Sequence, residues 1–124
     1  MNIEISIGEI VDKLSILNIK KDKITDSTKL ENIAKEFLYL HEIVFSQLNI
    51  DYHEDYLSLF EINKSLWDIE DKLRDKERNK EFDNEFIELA RSVYFTNDRR
   101  ADLKKSINLK YNSNFIEEKS YAKY

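Results

Sequence analysis

The sequence predicts an all-α protein, an up-down four-helix bundle with a docked C-terminal tail, and three observations predict it. One glycine and no proline in 124 residues leave almost no turn punctuation, which favours long helices. Four segments repeat apolar residues with a helical period. The short polar breaks TDST, NIDYHED and NKEFDN separate them, and short loops make consecutive helices antiparallel neighbours. At this length the chain fits one domain, residues 1–124.

The first helix is expected over about 6–24, where Ser6 and Glu9 form a capping box. Gly8 then falls in the first turn, where glycine costs little. Thr28 and Glu31 repeat the box at the start of a second helix, about 28–48. Its face of Leu30, Ile33, Ala34, Phe37, Leu40, His41, Val44, Phe45 and Leu48 reads as a buried stripe, with His41 a hydrogen-bonded core residue rather than a ligand. A third helix is expected over about 56–78 and a fourth over about 85–110, capped by Asp83 or Asn84. The tail, 111–124, carries Phe115, Ile116, Tyr121 and Tyr124, an aromatic content suited to docking.

Composition narrows function. The net charge of -5 is spread through interspersed acids and bases, without the basic field that nucleic acid requires, so nucleic-acid binding is not expected. Without cysteine there is neither a disulfide framework nor a thiolate metal site. The start, MNIEISIGEIVDK, lacks the pattern of a signal peptide, and no apolar run is long enough for a membrane span. A soluble, cytoplasmic protein is the expectation. No cofactor and no metal ion is expected. The arginines all fall between Arg74 and Arg100, a concentration that hints at specific pairing with carboxylate or phosphate.

Helical phase marks the candidate site. On the fourth helix the inward line Phe86, Leu89, Ala90 and Val93 continues at the same phase through Asn97, Arg100, Lys104 and Asn108. Apolar residues give way to polar ones halfway along. Buried polar groups need partners, so this half of the interior meets acids from other helices, ordered water or an anionic ligand. Glu9, Asp12, Glu36 and Glu70 are the acids available. On the third helix Glu70 borders the apolar face beside Trp67, with Arg74 its local partner. The first helix shows Ile16 and Ile19 opposite its main stripe, among Glu9, Asp12, Lys13 and Lys20. Two apolar faces require two partners, and the second points to a homodimer, the docked tail or a charged cleft.

In this order, IGEIVDKLSILNIK, KLENIAKE, LWDIEDKLRDKE, ARSVYFTNDRRADLKKSIN and EEKSYAKY resemble an uncharacterised bacterial family of small helical proteins. Genes of that family often lie near those for glycosyltransferases and surface-polysaccharide assembly. The resemblance covers nearly the whole chain. Gly8, Glu9, Asp12, Lys13, Lys20, Glu36, Trp67, Glu70, Asn97, Asp98, Arg99, Arg100, Glu117, Glu118, Lys119 and Tyr121 match its pattern.

The resulting expectation is a binding or accessory module with a polar pocket for a phosphate- or carboxylate-bearing small molecule. Asn97, Arg100, Lys104, Glu70, Arg74, Glu9, Asp12 and Lys13 are its candidate ligand-binding residues. The setting implied by the resemblance suggests phosphosugars and nucleotide-sugars. Two other readings stay open. Glu9 and Asp12 form an E-x-x-D pair of the kind that holds magnesium in helical nucleotide pyrophosphohydrolases, and the ionic stripe also suits a dimeric structural adaptor.

Overall fold

A computed structural model covering residues 1–124 shows an all-α helical bundle. Its elements are α1 (Ile7–Lys23), α2 (Ser27–Glu42) continued by a π-helical turn (Ile43–Gln47), α3 (His53–Arg78) and α4 (Asn84–Lys110). Local chemistry sets the starts. The Ser6 hydroxyl accepts from the Glu9 amide, and Asp83 accepts from the Phe86 amide, as their positions predict. The second helix begins one residue ahead of the expected Thr28, because Asp26 accepts from the Lys29 amide and so caps α2 itself. Aspartate outranks threonine in that role. With one glycine in the chain, the left-handed positions at turns fall to Asn49, Lys80 and Asn112, and asparagine is the residue other than glycine that best tolerates them.

The first helix is the central one. It contacts α2 on one side and α3 and α4 on the other, while α2 approaches neither α3 nor α4. Two apolar clusters result. Ile10, Leu14 and Leu17 meet Ile33, Leu40 and Val44 between α1 and α2; Val11 meets Leu59 and Ile107 between α1, α3 and α4. Ile19 is only 2% exposed, so the face on which a second copy was expected is covered within one chain. Ile16 beside it is half-buried.

Because α2 has one partner, its expected stripe is only partly sealed. Ile33, Leu40 and Val44 are buried, whereas Ala34, Phe45 and Leu48 are exposed. His41 lies between the rings of Phe37 and Phe45, with Nδ1 2.5 Å from the Tyr52 hydroxyl. It is therefore a hydrogen-bonded, stacked histidine.

Opposite α2, α3 and α4 form a long antiparallel hairpin. At its root Lys110 and the Tyr111 hydroxyl reach the Asp55 carboxylate. At its tip Lys76 lies 2.9 Å from Asp83, 3.2 Å from Glu81 and 3.3 Å from Glu85, closing the turn. Those acids raise the Lys76 pKa above its ordinary value. The tail runs back along α4. Its contacts are made at the surface: the Tyr124 ring lies against Tyr94 and Phe95 with its hydroxyl on Asp98, while Phe115, Ile116, Tyr121 and Tyr124 itself all remain exposed.

Candidate functional site

The polar half of α4 faces α1 turn by turn. Asn108 Oδ1 accepts from the Gly8 amide at 2.6 Å, Lys104 Nζ donates to Glu9 at 2.7 Å, and Arg100 clamps Asp12. The guanidinium binds through Nε at 2.9 Å and Nη2 at 2.5 Å, the two-pronged geometry that makes arginine a strong carboxylate partner. These contacts join residues 88 to 100 positions apart. They seam the first helix to the last.

Asp12 is 0% exposed, and an isolated buried carboxylate is costly. It is not isolated. Asn63 Nδ2 on α3 donates to it at 2.9 Å and to the Ser15 hydroxyl at 2.7 Å, while Ser15 Oγ donates to the Asp12 carbonyl at 2.7 Å. No buried side-chain nitrogen or oxygen lacks a partner. The hydrogen bonds from Arg100 to Asp12 also raise the arginine's pKa above its ordinary value, so the guanidinium keeps its charge. The first amides of α1 are equally committed: Ile7 donates to Ser113, Gly8 to Asn108 and Glu9 to Ser6. The helix start therefore holds no free donors for an anion.

Where the seam reaches solvent it opens into a cleft of about 1180 Å³ between α4 and the tail, lined by Asn97, Arg100, Lys104, Lys105, Glu117, Glu118, Lys119 and Tyr121 among others. Lysines hold carboxylates there. Glu117 lies 3.4 Å from Lys104 and 2.6 Å from Lys119, and Glu118 lies 2.9 Å from Lys105. The Lys119 ammonium, and then that of Lys104, keep the Glu117 carboxyl below its ordinary value of 4.5. Hydrogen bonding to Asp98 pushes the Tyr124 hydroxyl up to about 12 from 10.0.

Those two shifts define a pH window for the tail. A depressed carboxyl contributes above its unfolded value and loses that contribution as pH falls through its folded one. A raised tyrosine contributes below its unfolded value and loses it as pH rises through its folded one. Tail docking is expected to be strongest between pH 4.5 and 10.0 and to loosen on both sides. The ring-proton shifts of Phe95, against which Tyr124 packs, check this across pH; shifts unchanged from pH 3 to 11 would contradict it, both limits lying about one unit or more outside the window.

Of the candidate residues, Glu9, Asp12, Arg100 and Lys104 are brought together. Lys13 is exposed and lies 3.8 Å from Glu9. Asn97 is exposed on the cleft wall. Glu70 and Arg74 pair with each other at 3.6 Å on the surface of α3 and join no contact of the seam. The members that sequence reasoning did not single out for the site are Ser15, inside the apolar run of α1, and Ser113 and Asn63. A polar residue at a core phase is the signal that Ser15 and Asn63 carried.

Fold and seam together define a small helical bundle with an ion-paired interior and a polar cleft at its rim. Over residues 1–124 the chain belongs to the family of unknown function DUF6165. No curated protein and no solved structure matches it. No helix is long and apolar enough to cross a membrane.

Proposed function

We propose that the protein is a cytoplasmic binding or accessory module whose cleft between α4 and the tail takes a phosphate- or carboxylate-bearing small molecule. The observation that carries this reading is the pairing of neighbouring Lys104 and Lys105 with neighbouring carboxylates, Glu117 and Glu118. The tail supplies the cleft with its own anions, and a ligand with two adjacent negative groups replaces them. Tyr121 and Asn97 on the walls suit the polar body of such a ligand, and the setting that the family resemblance implies makes phosphosugars and nucleotide-sugars the first to try.

Calorimetric titration of the full chain with pyrophosphate, a sugar phosphate and a nucleoside diphosphate sugar tests the proposal. Lys105→Met is expected to weaken binding about tenfold, the loss of one charge-assisted contact. Glu117→Gln with Glu118→Gln is expected to strengthen it several-fold by removing internal competitors. An absence of binding by the native chain and by the double variant would overturn the reading.

The closed network around Asp12 favours a second reading, a structural adaptor, which predicts that absence. Metal-assisted nucleotide hydrolysis has less support. The Glu9 and Asp12 carboxylates already neutralise Lys104 and Arg100, and no three His, Asp or Glu side chains are grouped to hold a metal ion.

A further inference from the structure

The α3–α4 hairpin outruns the rest of the fold. Its helices have 26 and 27 residues against 17 in α1, a difference of roughly 14 Å at 1.5 Å per residue. Lys23, the last residue of α1, lies 3.8 Å from Asp68, so α1 stops beside the middle of α3. From Lys64 to Phe95 no residue is buried, although Leu66, Trp67, Leu73, Phe86 and Val93 lie in that stretch. An amphipathic helix pair seals only the seam between its members, and the rest of each apolar stripe needs a further layer.

Phase shows where that layer belongs. The direction in which Arg100, Lys104 and Asn108 meet α1 is repeated further up α4 by Val93, Ala90 and Phe86; on α3 the direction of Leu59 and Asn63 returns at Leu66, Trp67, Glu70 and Arg74. The groove that α1 fills at the root continues past the end of α1 at the tip, its apolar side chains only partly covered.

We infer that this groove is the contact surface for the same hairpin of a second copy, related by a two-fold axis. Charge favours that occupant. Glu70 and Arg74 stand one turn apart, their side chains 52% and 71% exposed. A two-fold contact places residue i of one copy on residue j of the other and the reverse, so this pair is complementary to itself. Acids and bases are nearly balanced along the hairpin tip, which fits another such hairpin better than nucleic acid or an anionic membrane. Apolar area adds less: Leu66, Trp67, Leu73, Phe86 and Val93 are each already more than half covered within the chain, so what they can still bury falls short of the roughly 800 Å² per partner of a standard interface, and the contact is of the weak, reversible kind. The inference is independent of what the cleft by the tail binds.

Sedimentation equilibrium of the full chain tests it. At roughly 200 μM and above, the mass is expected to rise with concentration from 14.9 kDa towards twice that value. Ala90→Glu, and separately Glu70→Arg or Arg74→Glu, are expected to weaken the dimer at least tenfold. Combining Glu70→Arg with Arg74→Glu is expected to restore it, an outcome specific to reciprocal pairing. Helicity by circular dichroism confirms that each variant folds, and the exposed Glu70 change keeps the test available if Ala90→Glu does not. A monomeric native chain, or a dimer indifferent to all of these changes, would overturn the inference.

Discussion

Replacing Arg100 with methionine is expected to lower stability by about 3–5 kcal/mol, the range for stranding one member of a buried ion pair, or roughly 10–20 °C in melting temperature for a chain of this size. The reason is the environment of Asp12. It is 0% exposed, and without the guanidinium it keeps only the Asn63 amide as a side-chain donor. A buried carboxylate with one neutral partner must protonate or draw in water, and both loosen the contact of α1 with α4. The guanidinium itself is partly exposed, its side chain 29% accessible, so its removal relieves less desolvation than the loss of pairing costs. Combining Arg100→Met with Asp12→Leu removes both charges and leaves Asn63 bonded to Ser15; most of the loss is expected to return, since hydrophobic replacement of a whole buried pair is often neutral. Urea denaturation of both variants measures this. A single variant within about 1 kcal/mol of the native chain would show that the seam contributes little beyond a surface ion pair.

How much of this was legible in the sequence depends on how many neighbours each helix has. In α4 the stripe Arg100, Lys104 and Asn108 was readable because that helix has a solvent face, so phase separates inside from outside. In α1 it was not. That helix touches all three others and is buried from several sides, and Asp12, near Ile16 and Ile19 in phase, looked like a flanking charge rather than the centre of a network. Phase also assigns residues to a line without revealing where a third helix ends. Glu70, about two turns beyond Asn63 on α3, therefore looked as buried as its neighbours, although α1 stops short of it. Asn97 is exposed for a different reason: its neighbour Thr96, 3% exposed, takes the inward position at that level, and Asn97 turns to the cleft beside the tail. The four segments and a cap at Asp83 or Asn84 rested on local signals and were readable, whereas the choice of Asp26 over Thr28 turned on two residues separated only by Ser27 that both cap well. The tail's aromatic content suggested docking, yet Phe115, Ile116 and Tyr121 stay exposed; the contacts are made by Tyr124 and by the carboxylates of Glu117 and Glu118, which a count of apolar residues does not weigh.

The same dependence on a neighbouring helix gives Gly8 its importance. By local propensity, alanine at this first-turn position should stabilise α1 by up to about 1 kcal/mol, and sequence alone offered no reason to expect otherwise. In the fold, a Cβ on Gly8 would stand 2.5 Å from the Lys104 carbonyl oxygen and 2.9 Å from Asn108 Oδ1. The carbonyl belongs to the interior of α4 and cannot rotate away, so the two helices must separate. Separation stretches the 2.6 Å bond from the Gly8 amide to Asn108 and pulls on the Lys104–Glu9 pair one turn on. Overpacking costs roughly 1–3 kcal/mol and a poorly satisfied buried amide adds about 1–3 kcal/mol. Against the propensity gain, Gly8→Ala is expected to destabilise by about 2–4 kcal/mol, seen as a lower urea midpoint with an unchanged slope. Asn108→Ala removes the softer of the two clashes but not the carbonyl, so adding it to Gly8→Ala is expected to bring no rescue. Should Gly8→Ala instead raise the midpoint, α1 and α4 do not cross this closely, and the seam that holds Asp12, Glu9 and the tail in register has a different geometry.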